Sequence, residues 1–356
     1  SGTLQVGKYD GVGTQTGERS TIRTTNNSTN PTLTNYGTIA AISNTVNFTE
    51  AQGNITIDNK SGAIISSRGD NSYGTINLKD AGDVTQGTIS ITNAGTIQSN
   101  HTAHIISSNA KTHYALRLES ISGGNTITID NSGTIKTVRC CAIYLNSTTD
   151  PVTITNSGTI YSGTHGAIDG EGTTNLTINN SGTITGTGTI SPNPVADRLA
   201  AIALNDGSGA IITNTGTIES SGNNLSGISV GDSAGTPVDV SDVTITNSGT
   251  ITGHGTGDAI RIYAGSTGAN IITKDEATYI GEIDMNSTAT TMTLDCSIKK
   301  DMDIEIENKT NMIVTNNLCG NDTYEILDSS KNADADNSET DGYLRIYGED
   351  LEIAQN

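Results

Sequence analysis

Apolar residues recur at every second position in short stretches along this chain, and one stretch recurs unchanged. Residues 152–160 read VTITNSGTI, and residues 243–251 read the same nine letters. Looser versions are ITIDNKSGAI at 55–64, ISITNAGTI at 89–97, ITIDNSGTI at 127–135, LTINNSGTI at 176–184 and IITNTGTI at 211–218. In VTITN, Val152, Ile154 and Asn156 share one face and Thr153 and Thr155 share the other, as the two-residue period of a β-strand requires. Ser157–Gly158 interrupts the alternation and Ile160 resumes it. Each phrase therefore predicts a strand, a bend and a second strand. At Gly158 and its equivalents the bend is expected to use positive φ, which glycine adopts without steric cost.

The asparagines that close the first strand are Asn35, Asn59, Asn93, Asn131, Asn156, Asn180, Asn214 and Asn247, at intervals of 24, 34, 38, 25, 24, 34 and 33 residues. The short interval fits one coil of a β-solenoid, and the long one fits a coil with an insertion. A third recurring phrase, small–Ile–x–apolar, appears as CAIYL at 141–145, GAID at 166–169, AIAL at 201–204, GISV at 227–230 and DAIRI at 258–262. Three strands per coil follow, with one junction, between the GTI strand and this phrase, carrying loops of variable length. Stacked coils lie about 4.8 Å apart, so isoleucine lies on isoleucine and asparagine on asparagine. An inward-facing amide at a corner can bond both the bend and the asparagine of the next coil, as in the amide ladders of in-register strands. Asn93, Asn131, Asn156, Asn180, Asn214 and Asn247 are assigned to that structural ladder.

The pattern changes near 274, where the alternation persists but NSGTI disappears. This divides the chain into a repeat region, 1–273, and an acidic C-terminal region of further coils and a terminal cap, 274–356, whose last strands are YLRIY and LEI. The expected fold is an all-β parallel β-helix of roughly a dozen coils.

Composition agrees with a thin aliphatic core. Only 33% of the 356 residues are hydrophobic and 3% aromatic, with one Phe and no Trp, too few large side chains for a wide globular core. The formal charge is −20. Nucleic acid and anionic membrane both require basic patches, so neither is expected as a partner. From Lys274 to Asn356 there are 19 acidic residues against 6 basic ones, which reads as a solvated face. No apolar run approaches the roughly 20 residues that cross a bilayer, so no membrane insertion is expected.

ITNSGTI followed by GTGDAI or GTHGAI, and then TYIGEIDM and TMTLDCSI, resembles the passenger domains of bacterial autotransporters across roughly 35–356. The resemblance implies a right-handed parallel β-helix displayed on the surface of a Gram-negative cell or secreted from it. Export would use a C-terminal β-barrel that this chain lacks. It further implies an adhesin or self-associating surface protein, with a host or neighbouring-cell protein or glycan, or a second copy, as partner. Insertions such as 98–114 and 185–199, or a lateral face, would carry the binding. A structural subunit of a surface layer or filament is the alternative. A polysaccharide-cleaving enzyme comes third. Four cysteines exceed the usual number in such passengers.

Candidate chemistry is sparse. None of the five histidines, His101, His104, His113, His165 and His254, stands beside a serine-nucleophile motif. GAIDGEG at 166–172, GHG at 253–255 and RIY at 261–263 resemble turns of polygalacturonases, which would place Asp169, His254 and Arg261 at an active site. The family's Asn-Thr-Asp and Asp-Asp motifs are missing, so these are read as corner loops of ordinary coils. Asp334, Asp336, Ser338 and Asp341 resemble the start of an EF-hand loop. Glu339 stands where that loop needs Gly, and Arg345 where it needs Glu. No catalytic residue, metal ligand or cofactor is assigned. Cys296 and Cys319 lie 23 residues apart, near one coil, and are the candidate disulfide. The adjacent pair Cys140–Cys141 could form a strained vicinal disulfide; the preferred expectation is that Cys141 faces the core and Cys140 faces out. The outward threonines, such as Thr153, Thr155, Thr177, Thr244 and Thr246, should form ranks, the ordinary outcome of a repeated register.

Overall fold

A computed structural model describes residues 3–6, 22–24, 28–41, 44–68, 74–80, 87–100, 113–188, 200–222, 225–231, 240–287, 290–319, 322–328 and 342–347. The chain winds as a right-handed parallel β-helix with three long sheets. Among the described residues, the first sheet has 12 strands, from Thr3–Val6 to Met312–Asn316. The second has 9, from Thr38–Ala41 to Thr278–Ile280, and the third has 13. At about 4.8 Å per coil, the twelve strands of the first sheet span roughly 50 Å. No helix among the described residues is long and apolar enough to cross a membrane.

VTITNSGTI occupies the first two sheets. Val152–Asn156 lies in the first and Thr159–Ser162 in the second. Register between coils stacks equivalent positions: Ile129 pairs with Ile154, Ile154 with Ile178, and Asn131 with Asn156. The small–Ile–x–apolar phrase forms the third sheet, as Ile143–Asn146, Ile168–Glu171, Ala200–Asn205 and Ser226–Val230. Ile129, Ile154, Ile178, Ile160 and Ile143 are fully buried in one core running through the coils. Peptide groups bond from coil to coil, so each turn satisfies its neighbours.

Connection lengths differ by junction. Two residues separate the first-sheet asparagine from the second-sheet strand after Asn35, Asn93, Asn131, Asn156, Asn180, Asn214 and Asn247. The second-to-third connection ranges from 2 residues, between Ile280 and Ile283, to 14, between Ser99 and Tyr114. The third-to-first connection also varies, from 4 residues after Glu171 to 13 after Val230. This corrects the expectation of a single variable junction: two junctions vary widely, and the third keeps two residues in seven coils and four after Asn59 and Thr273.

The fixed corner explains its glycine by a different route from the one expected. Gly158 is absent from the positive-φ glycines of the chain. The requirement is closeness. A Cβ on Gly158 would lie 2.1 Å from the Gly133 carbonyl oxygen of the preceding coil. Gly182 and Gly216 meet the preceding corner carbonyl at 2.2 Å in the same way. Gly62, in the longer corner KSGA, does have φ +74 and open space around it.

The C-terminal end closes differently. Gly342–Tyr347 pairs antiparallel with both Met302–Glu307 and Thr323–Asp328, extending the third sheet by a hairpin-like cap. The YLRIY stretch thus forms a strand. LEI lies outside the described residues.

Candidate binding face

The asparagines expected to stack are brought together at the fixed corner. Asn93 Nδ2 donates to Asn131 Oδ1 at 2.7 Å, Asn131 to Asn156 and Asn156 to Asn180 at 2.8 Å each. The chain continues from Asn180 to Asn214 at 2.8 Å and from Asn214 to Asn247 at 2.9 Å. Asn35 and Asn59 extend it toward the N-terminus. Asn131, Asn156, Asn180 and Asn214 also reach the bend and the next coil, as Asn156 does to the Gly158 and Thr183 carbonyls. The ladder runs one way, with Nδ2 toward the C-terminus, and it stops at Asn247. The next residue in that file is Thr273. Tyr279 replaces the isoleucine of the second sheet there, and its hydroxyl lies 3.1 Å from Thr273 Oγ1. Burial pushes the Tyr279 hydroxyl up to about 12.

Two coils farther on, Cys296 and Cys319 are joined by a disulfide at the same corner, with Cα atoms 4.8 Å apart. Asn317 N bonds the Leu294 carbonyl beside it. The corner is thus held by amides along the repeat region and by a covalent bond beyond it.

Cys140 and Cys141 depart from expectation. Cys141 does not join the main core. Both side chains are buried in a separate cluster with Tyr114 and Tyr144. Cys140 has φ +61, so the alternation of an extended strand fails there.

That cluster belongs to the outer face of the third sheet, which sequence reasoning did not single out. One outward position per coil forms a continuous file: Asn47, Asn77, Arg117, Tyr144, Asp169, Ala203, Ser229, Arg261, Asp284 and Glu307. In the first sheet the outward threonines are partly or fully exposed, whereas Ala200–Asn205 and Ser226–Val230 are buried on both faces. The signal was present in the sequence. The x of small–Ile–x–apolar is Tyr, Asp, Ala, Ser or Arg, where the first sheet has mostly Thr.

The file is bonded lengthwise. Asn77 Nδ2 donates to Asn47 Oδ1 at 2.8 Å, and Arg117 Nη1 to Asn77 Oδ1 at 3.2 Å. Arg117 also pairs with Glu119. The Tyr144 hydroxyl donates to Glu171 Oε2 at 2.6 Å, and Tyr114 stacks on Tyr144 with ring centroids 4.4 Å apart. Farther along, Arg261 Nε lies 2.7 Å from Asp258 and 3.1 Å from Asp284, with its guanidinium 5.7 Å over the Tyr263 ring. Carboxylate oxygens of Asp258, Glu282 and Glu307 lie within 4.8 Å of one another. Burial is the main force pushing the Asp258 carboxyl up to about 7; Arg261 opposes the shift, and Asp284 and Glu307 add to it. Arg261 supplies positive charge among these carboxylates.

The three residues of the polygalacturonase-like turns are not assembled. Asp169 lies in the strand Ile168–Glu171, not in a corner loop, and Cys141 Sγ is its 3.7 Å neighbour. Three register steps separate it from Arg261 in the file, roughly 14 Å. His254 is exposed at a bridge to Leu225. Asp334, Asp336, Ser338 and Asp341 lie outside the described residues, as do most of 98–114 and 185–199.

Comparison of the chain with family models, curated proteins and solved structures returns no match. Its fold is a parallel β-helix of stacked repeats on the strength of its own register.

Proposed function

We propose that this chain is the rod of a cell-surface or secreted passenger of a Gram-negative bacterium, acting as an adhesin or self-associating surface protein without enzymatic activity. Recognition is assigned to the third-sheet side. The observation that carries this reading is the distribution of insertions. The corner between the first and second sheets keeps two residues in seven coils, while the connections on both borders of the third sheet run up to 13 and 14 residues. A scaffold locked on one side and variable on the other places its adaptable segments where a partner is met. The ligand class is a protein or glycan of a host or neighbouring cell, or a second copy of the chain.

The test is binding of the purified, fluorescently labelled chain to cells. One variant shortens 187–199 to the five residues that connect Ser162 to Ile168. Another replaces two outward first-sheet threonines by Ser, the exposed Thr155 and the half-buried Thr246. Loss of binding in the first variant alone supports the assignment. Loss in the second alone moves recognition to the first sheet and overturns it.

A second reading, a subunit of a surface layer or filament, draws on the terminal first-sheet strand Met312–Asn316. Among the described residues it is the edge of that sheet, and it exposes Ile313 to 52%. Such edges can accept another strand. Sedimentation of the chain over a range of concentrations distinguishes this reading by the formation of open-ended polymers.

A further inference from the structure

We propose that Cys140 and Cys141 form a reversible vicinal disulfide, a redox-sensitive device at the corner between the second and third sheets. Neighbouring side chains on a strand point to opposite faces, so adjacent cysteines normally do not meet. Here the left-handed φ of +61 at Cys140 turns the chain, and both side chains enter one cluster. A non-glycine residue in that region is held there at a cost by its surroundings. The two thiols interact directly, and this contact with Cys141 is the main influence holding the Cys140 thiol below its ordinary value. Cys140 and Cys141 are 6% and 1% exposed, and the fully buried Tyr114 belongs to the same cluster, its hydroxyl helping to hold the Cys140 thiol down. The chain's other two cysteines are bridged, which fits a compartment where disulfides persist.

Adjacent Cα atoms across a trans peptide lie about 3.8 Å apart. That is below the roughly 4.4–6.8 Å of ordinary disulfides, so the bond is strained and easily reduced. A disulfide oxidant such as glutathione disulfide completes the chemistry. The Cys140 thiolate attacks it, one glutathione leaves, and Cys141 displaces the second from the mixed disulfide. One Sγ–Sγ bond forms as another breaks, and the two thiol protons and two electrons leave with two glutathione molecules. Closure withdraws the Cys141 hydrogen from Asp169 Oδ2, 3.7 Å away, and shifts the cluster beneath the Tyr114–Tyr144 stack. The state of the pair thereby alters the outer face of the third sheet.

The folded chain is equilibrated in glutathione redox buffers, quenched in acid, alkylated in denaturant and cut with trypsin. Cleavage after Arg139 and Arg198 releases a peptide holding Cys140 and Cys141 and no other cysteine. In oxidising buffer that peptide should carry no alkyl group and be two hydrogens lighter than its thiol form. It should carry two alkyl groups in reducing buffer, with a midpoint less reducing than that of Cys296–Cys319. Two alkyl groups in every buffer, or a stable glutathione adduct, would overturn the proposal.

Discussion

Gly158 lies directly over Gly133, so close that a methyl group on Gly158 would sit 2.1 Å from the Gly133 carbonyl oxygen. That oxygen already accepts the Thr159 backbone N–H at 2.9 Å. Neither partner can yield, because both are backbone held by the coil-to-coil ladder. Gly158→Ala is therefore expected to cost about 2–4 kcal/mol, at the upper end of overpacking effects. Ser157→Ala, one residue away and exposed, should change stability by less than about 0.5 kcal/mol. Repeat arrays can open locally, so native-state hydrogen exchange of the coils around 131–160 is the measurement. Equal protection in the two variants would show that the corner has room.

The asparagine ladder predicts a position-dependent cost. Asn156→Ala removes the donor to Asn180 Oδ1, leaving that buried oxygen unmatched, and one acceptor of Asn131 Nδ2, which keeps the Gly133 and Thr159 carbonyls. Each orphaned group costs about 1–3 kcal/mol. Asn35→Ala orphans a partner on one side only among the described residues, that of Asn59. The interior substitution should thus destabilise its neighbouring coils by more, because it also breaks the bond from Asn131. Hydrogen-exchange protection at Thr159 and Thr183 against Ile64 reads the difference, and equal losses would reject a ladder coupled along its length.

The fixed corner was the most legible part of the molecule because a corner used in every coil must repeat its residues. Parity alone oriented Val152, Ile154 and Asn156, and the register shows those residues stacked. The letter G fits a backbone angle and a close approach equally, and only the stacking of Gly158 on Gly133 shows that it serves the second. The second variable junction was hidden for a related reason. Insertions rich in Ser, Gly and Asn carry no mark of which strand they follow. The file through Tyr144, Asp169 and Arg261 was visible as a departure from Thr, yet parity says which way a side chain points and nothing about whether it is covered. Cys140 shows the limit of parity itself, since one left-handed residue overrides the alternation.

The Cys296–Cys319 bridge takes over at the corner after the ladder ends at Asn247. A loop of this size is worth about 3 kcal/mol of unfolded-state entropy in the chain-entropy account. Replacing both cysteines by serine should weaken the last coils and leave the ladder region unchanged, because each coil contacts its neighbours. Hydrogen exchange should rise at Thr291–Leu294 and Met312–Asn316 and remain constant at Val152–Asn156. A uniform rise along the rod would mean that the bridge stabilises a single cooperative unit.

Asp258 predicts a pH dependence opposite in sign to that of an ordinary paired carboxylate. Burial raises its folded pKa from 3.8 to about 7, against the opposing influence of Arg261. Between those values the folded chain holds a proton that the unfolded chain has released. Stability from this group is therefore fully present below about pH 4 and is lost as pH rises through 7. The shift corresponds to on the order of 4 kcal/mol. Asp258→Asn keeps the shape and the neutral state, and Arg261 retains Asp284 at 3.1 Å. The variant should equal or exceed the parent in stability at pH 8, and its curve should be flatter between pH 4 and 7. Urea unfolding followed by hydrogen exchange of Ile260–Ile262 measures both. A variant that is less stable at pH 8, with the same slope as the parent, would show that Asp258 is held ionised by Arg261 and that the ion pair outweighs burial.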